Sequence, residues 1–479
     1  MSTEIRQRSR ETQVSNGRDT KAKSMISDRP IRVFTMKKCL FVLVILIGSS
    51  LMFKLIFGRY PLKPHYHATG FEDHISAAFG FQTKEYAIMF DAGSTGTRIL
   101  VFTFHRVYVD GNLKLLTEYF EEIKPGLSAY ADAPNKAGQS LLPLLKKAKK
   151  LIPWSAWKKT PIVLKATAGL RLLPGSKSEA ILDEVRKLFS HYPFLVAPDS
   201  VSIMDGKDEG LYSWFTVNFL LDTLSGDDED MMASLDLGGG STQVTLVANR
   251  PTLSAASKDI HNVMVFGRPL NLYIHSYLGL GLMAARHEIL NIGNRTHDPE
   301  SFKFISPCIH SIVNKKWIYA NNEYQVKGEV IHEIPVKNSV KSKNSRVLRF
   351  EQCLKIANKV VNFKLYAPPE LRQQKIYAMS YYFDRATENG LIDPFLGGDV
   401  KLASYIKAAK SACQHPNVDQ PFACLDLTFI SSLLNQGLGL NIDKKIILRK
   451  KIDGHELSWA LGAAFHVLAN NDKEKPGED

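Results

Sequence analysis

Two short segments of this chain repeat one another. Asp91-Ala92-Gly93-Ser94-Thr95-Gly96-Thr97 follows the apolar run 86–90 and leads into the apolar run 99–104. Asp236-Leu237-Gly238-Gly239-Gly240-Ser241-Thr242 follows Ala233-Ser234-Leu235 and leads into Gln243-Val244-Thr245-Leu246-Val247. Each reads as a strand, a small-residue turn and a second strand, the pattern of a hairpin. The copies start 145 residues apart, which suits two related lobes that face each other across a cleft. Glycines let backbone N–H groups approach phosphate oxygens, and hydroxyls add donors. An Asp at the mouth of each loop can hold a hard cation, directly or through water. One such loop is commonplace in hairpins; two facing copies are not. No GxxxxGK[ST] loop occurs, so phosphate binding here follows another design.

Around these loops strands alternate with helices. Residues 141–152 and 178–189 carry helical patterns, and Ile162-Val163-Leu164 reads as a buried strand between them. That alternation predicts an α/β fold. Two further segments can line the cleft. In Lys165-Ala166-Thr167-Ala168-Gly169-Leu170-Arg171 small residues sit at a strand-to-helix turn. Arg171 there either binds phosphate or pairs with an acid on its own lobe. In Met204-Asp205-Gly206-Lys207-Asp208-Glu209-Gly210 the chain runs into an amphipathic helix over 211–221. Glu209 at its entrance is placed either to deprotonate a water or only to complement the helix dipole.

The net charge is +13, and much of it sits at the N-terminus. Residues 1–38 hold ten Lys/Arg against four acids, and an apolar run over 40–57 follows. A basic tail before an apolar segment is an orientation signal rather than a nucleic-acid site. The run is near the minimum for a membrane span, and the basic region is too long for a cleaved signal peptide. The expected layout is a cytosolic tail (1–38), a signal-anchor helix (39–57) and a stalk (58–84), with all that follows in a lumen or outside. Cleavage in the stalk would release a soluble form. Cys308, Cys353, Cys413 and Cys424 then lie where disulfides persist. Three pairings are open, and sequence neighbours (Cys308–Cys353, Cys413–Cys424) are the simplest. Asn294-Arg295-Thr296 is a glycosylation acceptor expected on a surface loop. Residues 338–346 read as a polar surface loop, and 471–479 as a frayed tail.

The four segments at 91, 165, 204 and 236, together with Ser458-Trp459-Ala460-Leu461-Gly462-Ala463, resemble in order the apyrase-conserved regions of the ecto-nucleoside triphosphate diphosphohydrolase (GDA1/CD39-like) family. The likeness covers roughly residues 85–466 and is nearest to the short, single-anchor members of the secretory pathway. It implies two actin-like (RNase H-like) lobes, lobe I from 85–205 and 447–470 and lobe II from 206–446, with the site between them. It implies direct attack of water on a terminal phosphate, with Ca²⁺ or Mg²⁺ as cofactor. Glu209 resembles the general base, and Ser241 and Gln243 the residues that hold the attacking water. Asp91 and Asp236 resemble the acids that organise the water shell of the metal. Ser94, Thr95, Gly96, Thr97, Thr167, Gly238, Gly239 and Gly240 resemble the phosphate-binding positions. Tyr382 or Phe383 resembles the aromatic residue that stacks on the base. The implied substrates are nucleoside diphosphates, UDP and GDP before triphosphates, in the Golgi or endoplasmic reticulum. Two other readings stay open: a polyphosphate-type phosphatase of the same fold, and a non-catalytic nucleotide-binding module.

Overall fold

The computed structural model describes residues 83–93, 95–106, 113–294, 302–320, 322–330, 344–361 and 365–473. The basic tail, the apolar run and Ser94 lie outside them, as does the stalk except for its last two residues. Among the described residues no helix is long and apolar enough to cross a membrane.

The first sheet has the order β3-β2-β1-β4-β5. Its strands are β1 (Thr83–Ala92), β2 (Thr97–Arg106), β3 (Leu113–Ile123), β4 (Ile162–Ala166) and β5 (Val201–Ile203). The second has the order β14-β15-β13-β6-β7-β9-β8. It comprises β6 (Ala233–Leu237), β7 (Ser241–Val247), β8 (Ile260–Val265), β9 (Arg268–Leu278), β13 (Ile376–Ser380), β14 (Gly398–Lys401) and β15 (Lys445–Leu448). Three strands, β10 (Lys303–Ser306), β11 (Asn314–Tyr319) and β12 (Asn322–Gly328), form a small third sheet. A short hairpin joins β16 (Lys451–Ile452) to β17 (His455–Glu456).

The internal echo extends well beyond the loops. Both expected hairpins form, β1 with β2 and β6 with β7. Aligning β3-β2-β1-β4-β5 with β9-β7-β6-β13-β15 matches the sense of every pairing. The two pairs on the hairpin side are antiparallel and the two on the other side parallel. Each Asp therefore ends a central strand that has an antiparallel neighbour on one side and a parallel neighbour on the other.

The helices are α1 (Pro134–Leu151), α2 (Ala168–Arg171), α3 (Gly175–Phe189), α4 (Gly206–Leu220), α5 (Arg250–Ala255), α6 (Leu282–Ile292), α7 (Asn344–Val361), α8 (Tyr381–Glu388), α9 (Leu402–Gln414), α10 (Ala423–Ser432) and α11 (Trp459–Lys473). In α1 the buried Ala137, Leu141, Leu144, Leu145 and Ala148 follow helical spacing. They join Ile88, Phe90, Ile99 and Val101 from one face of the first sheet in a single core. The opposite face, with Met89, Leu100 and Phe102, shares a core with Trp214, Val217, Ile274, Trp459 and Phe465. Helices α4 and α11 thus fill the space between the two sheets.

That position corrects the expectation of an amphipathic helix over 211–221. Helix α4 packs on β6, β7 and β9 and also on α11, so it is buried around most of its circumference. Two glycines allow the close approach. A Cβ at Gly210 would sit 2.9 Å from Thr245 Oγ1, and one at Gly462 would sit 2.6 Å from the Tyr212 carbonyl oxygen. Smaller differences follow from hydrogen bonding. Residues 83 and 84 pair with β2 instead of belonging to the stalk. Residues 344–346 open helix α7, and α11 continues to Lys473, past the expected frayed end. The disulfides pair as sequence neighbours, Cys308–Cys353 and Cys413–Cys424. The first links α7 to the turn after β10, the second α9 to α10. Asn294 donates to the Lys303 carbonyl (3.3 Å) and accepts from the Ile305 N–H (3.0 Å), so its amide is tied to β10.

Candidate active site

A cavity of about 560 Å³ lies between the two Asp loops. Asp91 and Asp236 both face it and are both buried. Arg98, opposite Asp91 in the hairpin, donates to Asp91 Oδ2 at 3.1 Å. Asp91 Oδ1 has no hydrogen-bond partner among the described residues. Asp236 accepts from Ser380 (2.6 Å) and Ser213 (3.2 Å). Burial raises both carboxyl groups above their ordinary range, while Arg98 opposes the shift at Asp91 and the two serines oppose it at Asp236.

The second loop presents its N–H groups. The carbonyls of Gly238 and Gly239 accept from the first turn of α6 (Leu282, Met283 and Ala284), and the Gly240 carbonyl accepts from Gly279. In a trans peptide the N–H points opposite the carbonyl. The N–H bonds of Gly239, Gly240 and Ser241 are therefore turned away from those partners, in a loop whose residues 238–241 line the cavity. A Cβ on Gly281 would lie 2.4 Å from the Gly240 nitrogen, so only glycine lets α6 back this loop so closely. In the first loop Gly93 and Thr95 line the cavity. Gly96 and Thr97 do not: Gly96 sits against Glu122, and Thr97 is fully buried. Thr167 lines the cavity just before α2.

Glu209 occupies the first turn of α4, whose N-cap Asp205 accepts from the Lys207 N–H at 3.0 Å. The carboxylate is buried and faces the cavity. It pairs with Arg171 and accepts from Gln243 Nε2 at 3.0 Å. The same nitrogen contacts the hydroxyls of Ser241 (2.8 Å) and Ser276 (3.0 Å). Burial pushes Glu209 up to about 8; Arg171 works against this, and the carboxylates of Asp236 and Asp91 add to it. The three residues Glu209, Ser241 and Gln243 thus form one connected group. Arg171 pairs with an acid, and that acid is Glu209.

The aromatic expectation needs correction. Residues 381–388 form helix α8, which turns Phe383 toward the cavity and Tyr382 away from it. Tyr381, Asp384, Arg385 and Glu388 follow helical spacing and line the cavity, together with Phe383. Tyr382 is fully buried in the second lobe's core, and its backbone carbonyl accepts from the Tyr405 hydroxyl (2.6 Å), so its ring has no access to a bound base. Tyr381 lines the cavity, its ring 5.7 Å from the Arg385 guanidinium. Sequence reasoning missed Ser380 and Ser276 as parts of the site, and named Trp459 only within the fifth motif, without a role. Ser380 stands at φ +58° immediately before α8, a conformation that costs a non-glycine residue energy. A serine in a Met-Ser-Tyr step carries no signal of that strain.

Residues 80–476 match the GDA1/CD39 (nucleoside phosphatase) family. The chain belongs to that family. It is a hydrolase. Over 389 residues it is 42% identical to the nucleoside diphosphate phosphatase ENTPD5 of Homo sapiens, covering 80% of this chain and 87% of the relative. Over 398 residues it is 43% identical to ectonucleoside triphosphate diphosphohydrolase 6 of Rattus norvegicus, covering 81% and 83%. The fold is shared with nucleoside triphosphate hydrolases from Neospora caninum, with a TM-score of 0.55 at 16% identity over 84% of this chain and 97% of that one. The actin-like α/β architecture expected from the motifs is therefore the architecture found. In this family member the two Asp loops, Glu209 and residues of α8 converge on one cavity.

Proposed function

We propose that this protein hydrolyses the terminal phosphate of nucleoside diphosphates, UDP and GDP before triphosphates, in the lumen of the Golgi or endoplasmic reticulum. The observation that carries the reading is the buried Glu209 carboxylate. It is held by Arg171 and Gln243 and faces a cavity lined by both glycine loops. Glu209 takes the proton of the attacking water. Ser241 and Gln243 position that water. The N–H groups of Gly239, Gly240 and Ser241 stabilise charge on the transferring phosphoryl oxygens. The products are a nucleoside monophosphate and phosphate.

The donor set fits a divalent cation. Asp91, Asp236 and Glu209 place three buried carboxylates around one cavity, and Asp91 Oδ1 lacks a partner among the described residues. Hard oxygen donors suit Ca²⁺ or Mg²⁺. In this reading Asp91 and Asp236 hold the ion through its water shell. The bound ion would neutralise phosphate charge. At the rim, Tyr381 and Phe383 are placed to meet the base. Thr95, Thr167 and Gly238 border the phosphate path.

Two paired disulfides suit an oxidising compartment, and the basic tail with its apolar run suits a single N-terminal anchor. In a lumen where sugar transfer releases UDP and GDP, their removal supports glycosylation. A panel of UDP, GDP, CDP, ADP, UTP and ATP, each with and without Ca²⁺ or Mg²⁺, tests the proposal. Cation-dependent phosphate release fastest on UDP or GDP supports it. Release from polyphosphate alone would replace it.

A further inference from the structure

A second cavity, of about 640 Å³, lies behind the catalytic group. Its inner wall includes Arg171 and Ser276, the residues that hold Glu209 and Gln243. The nucleotide cavity touches Glu209 and Ser241; the rear cavity touches their partners. One layer of side chains divides the two. Gly206 keeps that layer thin, since a Cβ there would fall 2.3 Å from Ser276 Oγ and 2.7 Å from Arg171 Nη1.

The rear cavity is rich in cationic and N–H groups. Lys207 and Lys258 line it, and neither makes an ion pair among the described residues. His261 and His275 line it too. It also carries two acids, Asp205, which accepts the Lys207 backbone N–H, and Asp259, whose Oδ1 meets His275 Nδ1 at 2.8 Å. The buried Nε–H of Arg171 has no acceptor among the described residues. The first turn of α4 opens on this wall, adding the positive end of a 15-residue helix.

We propose that the rear cavity binds orthophosphate, and that the phosphate released on hydrolysis occupies it. The second half of this statement rests on the proposed hydrolytic function; the first does not. Orthophosphate held by Lys207 and Lys258 lies beside Arg171 and competes with Glu209 for its guanidinium. Its occupancy therefore slows turnover without blocking nucleotide entry.

Two measurements on the full-length chain test this. Calorimetric titration with orthophosphate alone should show a binding step that weakens about tenfold in the Lys207→Glu/Lys258→Glu variant. It should also weaken with added salt. Orthophosphate should inhibit nucleotide hydrolysis noncompetitively, with the inhibition constant raised about tenfold in the variant and kcat and KM unchanged. Unaltered orthophosphate binding in the variant, or purely competitive inhibition, overturns the proposal. A chain that binds orthophosphate at this site yet hydrolyses no nucleotide would instead refute the functional reading.

Discussion

At position 209 the chain buries a carboxylate and gives it one arginine, one amide and a view of the cavity. A general base must be ionised to accept a proton. Because burial lifts Glu209 to about 8, activity should fall as pH drops through that value and level off above it. A rate profile from pH 5 to 10 checks the sign, and a profile flat across 6–9 would contradict it. The limb should move to lower pH as divalent cation is raised, since neutralising Asp91 and Asp236 removes their repulsion of the Glu209 charge. Ser380 gives a second test. Ser380→Ala loses the 2.6 Å bond to Asp236 but keeps the left-handed backbone. Ser380→Gly loses the same bond and relieves strain worth about 1–3 kcal/mol. Both should lose activity several-fold, with the glycine variant melting at the higher temperature.

The elements show what the residue pattern could and could not reveal. Both hairpins and strand β4 were legible as short, nearly continuous apolar runs buried on both faces, and helices α1 and α3 because their spacing records one buried face each. The Glu209–Ser241–Gln243 group was legible only through the order of five motifs, since nothing local marks Glu209 as facing a cleft. Helix α4 was misread as amphipathic because its second partner, α11, is more than 200 residues away in sequence. Which of Tyr382 and Phe383 faces the cavity was not legible, because it depends on the helical phase of α8, which starts directly after β13. Close helix packing yields its own prediction. Gly462→Val places side-chain atoms against the Tyr212 backbone, which cannot swing aside. It should cost about 1–3 kcal/mol, read as a lower melting temperature by calorimetry. Gly175→Ala, with nothing within 4 Å, should not lower it.

At the scale of the molecule, two sheets of matching pairing order present their Asp loops to one cavity, with α4 and α11 wedged between them. Each sheet contributes one buried carboxylate and one glycine-bearing loop to the lining of that cavity. The second lobe carries additions the first lacks, among them the small sheet and both disulfides. Removing Cys308–Cys353, which closes a separation of 45 residues, should cost about 2–5 kcal/mol. Thermal unfolding of a Cys308→Ser/Cys353→Ser variant measures this, and an unchanged melting temperature would show the bridge to be inert. The central claim concerns the cavity between the lobes. Its most direct test compares single-turnover phosphate release from UDP, with Ca²⁺ or Mg²⁺ present, by the unaltered chain and by Glu209→Gln. A nucleotide-binding measurement on both shows that the cleft is intact. Glu209→Gln should lose about 10²–10⁴-fold in release with nucleotide affinity retained. Equal release by the two proteins would contradict the central claim.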